Sequence, residues 1–250
     1  MKVTAYKTHK ITVGEDIFAI LDQYLPKLEE GTVVAITSKI ISLCQGDVIK
    51  NDGNIDKKEL IKKEAEYYIA TDDTRYGTVI PTIKNNILIA NSGVDESNAD
   101  GNFILWPKAI ERITDEIWQK LREKRGINEL GIIVTDSRLT PLRWGITGVG
   151  ISWCGFEAFK DYRGKPDIFG RELKMSQESI IDGLAAATVV VMGEGSEQTP
   201  LATVTDIPFV KFQNRPPTKE ECDATKIEKE DDIYGKLMTS VTWEKGGDNS

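Results

Sequence analysis

The spacing of apolar residues changes along the chain, and each change marks an element. Gly14-Glu15-Asp16 precedes Ile17, Ile20, Leu21 and Tyr24, which recur at helical spacing and stop before Pro26. A first helix is therefore predicted there. The run Thr32 to Thr37 is short and β-branched, as a buried strand should be. Leu60, Ile61, Ala65 and Tyr68 place a second helix over Lys57 to Ala70. Thr78 to Ala90 reads as two strands joined by the turn Lys84-Asn85-Asn86, running directly into Asn91-Ser92-Gly93-Val94-Asp95.

Pro107 suits the first turn of a further helix, whose stripe is Ile110, Ile113, Ile117 and Leu121 and whose C-terminal cap is Gly126. Leu130 to Thr135 reads as a buried strand that delivers Asp136 at its end. In Gly145, Gly148, Gly150 and Gly155 the backbone must bend or approach something closely. A long, buried helix is expected over Ser176 to Met192, ending at Gly193-Glu194-Gly195, and Ala202 to Thr205 as another strand. Strands and helices mix without regular alternation, so the class is α+β. Residues 1–213 read as one unit, or as two intimate sub-domains. Residues 214–250 form a polar extension, in which Ile233-Tyr234 and Leu237-Met238 mark a short docked helix and Gly246 to Ser250 a frayed end.

Composition narrows the chemistry. Hydrophobic residues are 40% and charged residues 29% of 250, the balance of a globular protein. The net charge of -8 argues against a nucleic-acid or anionic-membrane surface. The apolar stretch from Leu184 to Met192 is about half the ~20 residues a membrane span needs, and Met1 to Lys10 lacks a signal-peptide core. Cys44, Cys154 and Cys222 are too scattered for a disulfide framework or a zinc site, which points to a reducing, cytoplasmic setting. With His9 as the single histidine, acid-base and metal work falls to carboxylates, whose hard oxygens suit Mg²⁺ or Mn²⁺.

Asp95, Asp136 and Glu194, with Glu197 nearby, stand at turns after regular elements, where side chains can share a cation; solvated or capping carboxylates are the plainer reading. Gly193 to Pro200 is a loop whose N–H groups suit a phosphate, or a simple helix cap. Thr37-Ser38-Lys39 offers hydroxyls and a cation, or a helix start. Arg138 and Arg143 flank Pro141 and suit a carboxylate or phosphate, or surface ion pairs. Neither a Walker A sequence nor a strand-borne G-x-G-x-x-G occurs.

Taken together, these fragments resemble the coenzyme F420-0:γ-glutamyl ligases, including the folate-metabolism γ-glutamate ligase branch. Asn91-Ser92-Gly93-Val94-Asp95-Glu96-Ser97-Asn98 is similar to the family's N-A-G-I/V-D-x-S-N. Thr135-Asp136-Ser137, leading to Arg143 and Gly145, is similar to T-D-T…R-x-G. Asp161-Tyr162-Arg163-Gly164, Asp167 to Leu173, and Met192-Gly193-Glu194-Gly195 follow in order, so the likeness covers about Met1 to Val210. Two departures stand out. Leu43 occupies a position the family commonly fills with Lys, and Arg138-Leu139-Thr140-Pro141-Leu142-Arg143 replaces F-G-R-P-W-R.

The resemblance implies an intertwined homodimer of mixed α+β fold that uses GTP and two divalent cations, Mn²⁺ or Mg²⁺. It implies metal contacts at Asp95, Asp136, Ser137 and Glu194, and nucleotide contacts at Ser38, Lys39, Asn98, Gly193, Glu194 and Gly195. Asp95, Asp136 and Arg143 are the expected catalytic group, Arg143 holding the acceptor's carboxylate or phosphate. The expected reaction joins L-glutamate to a small acidic acceptor, F420-0-like or folate-like, by an amide bond formed through an acyl phosphate. A phosphohydrolase or a non-ligase metal–nucleotide protein is the alternative on the same residues.

Overall fold

The computed structural model describes residues 1–71 and 79–247. The chain begins with β1 (Lys2–Tyr6), α1 (Ile17–Tyr24), β2 (Thr32–Thr37), α2 (Ser38–Gln45), β3 (Val48–Lys50), α3 (Lys57–Glu64) and β4 (Tyr67–Tyr68). Then come β5 (Pro81–Lys84), β6 (Ile87–Ala90), a 3-10 turn (Asn91–Gly93), β7 (Asn102–Ile104), α4 (Ile110–Arg125), β8 (Leu130–Leu139) and β9 (Ile146–Cys154). The last third holds β10 (Phe159–Asp161), β11 (Gln177–Ser179), α5 (Ile180–Met192), β12 (Leu201–Thr205), α6 (Lys219–Asp223), α7 (Gly235–Met238) and β13 (Glu244–Lys245).

The central sheet has the order β1-β12-β2-β8-β9, with β2 and β8 parallel and the other pairs antiparallel. Both of its faces are covered, so its strands read as near-continuous apolar runs. Val34, Ile36, Ile132 and Val134 point into a core shared with α1, α2 and α4. The alternate residues Val33, Ala35 and Ile133 point into a second core under α5. A smaller sheet, β13-β4-β5-β6, lies beside it, with a third apolar cluster built on Leu60, Ile61 and Phe103. The class is therefore α+β, as expected. Among the described residues no helix is long and apolar enough to cross a membrane.

Several elements match the apolar pattern closely. The strand over Thr32–Thr37 has the expected bounds. The first helix starts where Asp16 accepts a hydrogen bond from the Phe18 N–H, and Gly126 caps α4 as expected. Asn85 and Asn86 both take positive φ in the β5–β6 turn. That hairpin begins at Pro81, and Thr78 lies outside the described residues, as do Asp248 to Ser250.

Other expectations need correction, each for a tertiary reason. The second helix ends at Glu64 rather than Ala70, because Tyr67 and Tyr68 pair with β5 and β13. Pro107 does not open the fourth helix: Lys108 N–H donates to Asp47, Ala109 turns left-handed, and α4 starts at Ile110. The strand expected to end near Asp136 runs on to Leu139, because β9 pairs with all of that stretch. Asp136 therefore sits within a strand. The glycine-punctuated segment is β9 itself, and α5 lies so close that a Cβ at Gly148 would sit 2.4 Å from the Ala185 carbonyl oxygen. Residues Gln177–Ser179 form β11, so α5 starts at Ile180 under the Ser179 cap, and Val190 on its outer face is exposed. In the C-terminal segment α7 exists, but Ile233, Tyr234 and Leu237 are exposed and do not dock it; Gly235 is its buried residue.

Candidate active site

Three loops and two strand ends bring the expected residues together at the C-terminal ends of the parallel pair β2 and β8. Thr37 ends β2 and Ser38 opens α2 directly, so Lys39 projects from the first turn of that helix. Thr37 makes no side-chain cap bond, so the first-turn N–H groups of α2 have no side-chain acceptor from the cap. Ser38 is buried.

The Lys39 ammonium lies 2.7 Å from an Asp95 carboxylate oxygen and donates to the Ser97 carbonyl at 2.8 Å and hydroxyl at 3.0 Å. Ser97 in turn donates to Asp95 from its backbone N–H and its hydroxyl, both at 2.8 Å. Burial alone would raise the Asp95 carboxyl, but the Lys39 charge and these donors outweigh it and hold the group below the ordinary carboxylate range.

Asp95 is held in place by an isolated bridge to Ile104 and by the strained turn before it, where Asn91, Ser92 and Gly93 all have positive φ. Asn91 accepts from the Ile80 N–H at 2.8 Å, and the N–H of the buried Ser92 donates to the Thr82 hydroxyl at 2.8 Å. The motif is thus strapped to β5 on one side and to β7 on the other.

Asp136 accepts hydrogen bonds from the Trp106 indole N–H and, at 2.7 Å, from the Ser137 N–H. Burial pushes its carboxyl up to about 6, with the Asp95 charge adding to the rise; the donated bonds and Lys39 oppose it without cancelling it. The mutual repulsion shows that the two carboxylates feel one another. The Ser137 hydroxyl donates to Glu194 at 2.6 Å, and the Asn98 amide donates to the Gly195 carbonyl at 2.9 Å. These two bonds draw the Gly193-to-Pro200 loop onto both aspartate segments. Thr37 N–H to the Pro200 carbonyl, at 3.0 Å, and Thr8 N–H to the Gln198 carbonyl, at 2.8 Å, fix its far end.

Asp95, Asp136, Ser137, Glu194, Lys39, Asn98, Gly193 and Gly195 are therefore neighbours through direct contacts or shared short loops. Arg143 is not joined to them. It sits on the exposed turn between β8 and β9, with its N–H on the Thr140 carbonyl at 3.2 Å and no ion pair among the described residues. Nor does Asp161 to Leu173 bond to the aspartates; Arg163 pairs with Asp161 at 2.6 Å inside its own loop. Trp106 is a functional residue that the sequence pattern did not single out. Its bond to Asp136 spans 30 residues and leaves no local signal.

Among the described residues no three Asp, Glu, His or Cys side chains form a ready metal cage. The donor chemistry nonetheless suits a hard cation. Every side-chain donor is oxygen, two carboxylates repel one another, and a cation, the Lys39 ammonium, is already drawn against one of them.

A mixed α+β scaffold thus gathers carboxylates, a lysine and a glycine loop at the ends of its parallel strands. The pattern of the F420-0:Gamma-glutamyl ligase family matches residues 6–206. The chain is 34% identical over 211 residues to a coenzyme F420:L-glutamate ligase of Methanopyrus kandleri, covering 76% of this chain and 81% of that protein. It is 33% identical over 221 residues to the protein of that name from Methanococcus maripaludis strain C6, covering 83% and 86%. The counterpart in Methanocaldococcus jannaschii is 32% identical over 203 residues, covering 75% and 81%. The chain belongs to the F420-0:gamma-glutamyl ligase family. It is a ligase.

Proposed function

We propose that this ligase uses GTP and Mn²⁺ or Mg²⁺ to join L-glutamate to a small acidic acceptor, F420-0-like or folate-like. The observation that carries the reading is the meeting of Lys39–Asp95, Trp106–Asp136 and the Ser137–Glu194 contact at one place. A carboxylate is a poor acyl donor, so the γ-phosphoryl group passes first to the acceptor carboxylate, giving an acyl phosphate and GDP. The glutamate amine then attacks the acyl carbon, the amide forms, phosphate leaves, and the amine gives up a proton.

Lys39 and the open N–H groups at the start of α2 suit the nucleotide phosphates, whereas in the loop beyond α5 the Gly193 and Gly195 N–H groups are taken by the Val189 carbonyl and the Glu197 carboxylate. Asp95, Asp136, Ser137 and Glu194 would hold the divalent cations, which when bound neutralise phosphate charge. Trp106 and the Ser137 N–H orient Asp136, and Ser97 orients Asp95. Arg143 lies on an exposed turn and is not joined to the aspartates, and the role assigned to it is to hold an acceptor anion. Leu142 is 104% exposed, Ile168 92% and Phe169 89%; such apolar surface supports a homodimer that covers it. Function in the cytoplasm fits three free cysteines.

The test combines GTP, Mn²⁺, L-glutamate and F420-0 and reads the acceptor's mass. A gain of one glutamate residue is expected, lost in Asp95→Asn while the circular dichroism spectrum is kept. Near-normal turnover in that variant removes Asp95 from the site, and GTP turnover with no mass gain moves the chemistry to hydrolysis.

A further inference from the structure

Arg138 is used by none of the contacts above. It lies two residues beyond Asp136 on β8, so its Cα is about 7 Å farther along the strand. Its side chain enters a second cleft of about 400 Å³, between β9 and the start of α5 on one side and the segment from Pro217 to Met238 on the other. Within that cleft the Arg138 Nε is buried and has no hydrogen-bond partner among the described residues. Its nearest charge is an Asp182 oxygen 3.6 Å from Nη2, too far for a hydrogen bond, and the other Asp182 oxygen accepts from the Gly150 N–H at 3.2 Å. The Nε itself is closed to solvent, but a guanidinium is a planar fork of donors matched to a carboxylate, and the Arg138 side chain is 32% exposed, so its terminal nitrogens can meet an acceptor from outside the chain.

The outer wall adds a second observation. Residues 217–238 lie beyond the stretch 6–206 that matches the family. The Asn86 amide donates to the Ile227 carbonyl at 2.8 Å and fastens this wall to the β5–β6 turn. Lys226 and Lys229 add positive charge to the lining, set against the carboxylates of Glu111, Asp182 and Asp232.

The geometry points to a carboxylate-binding subsite in this cleft, with Arg138 as the anchor and the C-terminal segment as the specificity-determining wall. It rests on the ligase reading, since both the amino acid and the acceptor carry carboxylates, and Asp136 and Arg138 share a strand.

The experiment measures KM separately for L-glutamate, F420-0 and GTP in wild type, Arg138→Met, Arg138→Lys and the surface variant Lys226→Glu. Arg138→Met should raise one carboxylate KM at least thirtyfold and leave the GTP KM within twofold. Arg138→Lys should recover part of the loss, and Lys226→Glu should raise the same KM. A rise for glutamate assigns the cleft to the amine donor; a rise for F420-0 assigns it to the acceptor. Carboxylate KM values within twofold of wild type in both folded Arg138→Met and Lys226→Glu overturn the subsite. Calorimetric titration with each carboxylate alone separates this from failure of the ligase reading. If wild type does not ligate but binds one of them and Arg138→Met does not, the subsite stands without the reaction. If wild type binds neither, the subsite falls.

Discussion

Replacing Gly93 by alanine tests whether the turn before Asp95 is shaped by the indole that holds Asp136. Gly93 has φ +72°, and an added Cβ would lie 2.0 Å from Trp106 Nε1 and 2.4 Å from its Cδ1. Trp106 is buried and cannot swing into solvent, so the methyl must displace either the indole or the loop. The left-handed backbone costs an L-residue about 1–2 kcal/mol, and overpacking a filled interior adds about 1–3 kcal/mol. Moving the indole also breaks its bond to the Asp136 carboxylate, which for a charged acceptor is worth about 1.5–3 kcal/mol. One displacement causes the last two losses, so they overlap, and the expected total is roughly 3–5 kcal/mol. Gly31→Ala is the control: it has φ +78° and nothing within 4 Å of the added Cβ, so only the backbone cost of about 1–2 kcal/mol applies. Urea unfolding followed by tryptophan fluorescence and far-ultraviolet circular dichroism gives both values, and ligase turnover is measured on whatever remains folded. Two variants within about 0.5 kcal/mol of each other, about the error of comparing such curves, would refute the packing argument.

Removing the cation beside Asp95 should separate chemistry from stability. Lys39→Met is expected to lower kcat/KM for GTP at least about a hundredfold while the melting temperature changes by only a few degrees, since the pair is partly exposed; unchanged kinetics would remove Lys39 from the nucleotide site. In the C-terminal segment, the Arg215 fork holds Glu221 down to about 2, assisted by the Thr218 N–H and opposed by burial. A depressed carboxyl contributes stability that is complete above its ordinary value of 4.5 and is lost as pH falls through about 2. Nuclear magnetic resonance titration of Glu221 should show that low midpoint, weakened by salt, and a midpoint near 4.5 would mean the fork does not form in solution.

The sequence by itself determined the elements whose signal is local. Thr32–Thr37 was readable because an unbroken β-branched run fits a strand buried on both faces, and the first helix because Asp16 caps it within two residues. The order of the motifs at Asp95, Asp136 and Gly193 was likewise readable, since glycines and acids at fixed spacing survive as text. What tertiary structure decided lies where local preference is weak or where partners are distant. Residues 136–138 are polar and every second or third residue of 145–150 is glycine, so neither stretch looks like a strand alone; pairing across the sheet and the close approach of α5 make them one hairpin. Tyr67 and Tyr68 leave the helical pattern because strand partners at Ile83 and Thr82, and at Lys245 and Glu244, claim them. The Trp106–Asp136 bond, the meeting of Asn98 with Gly195 and the approach of Arg138 to Asp182 join groups far apart in the chain. Such contacts form only after the cores close, because no periodicity in the intervening residues encodes them.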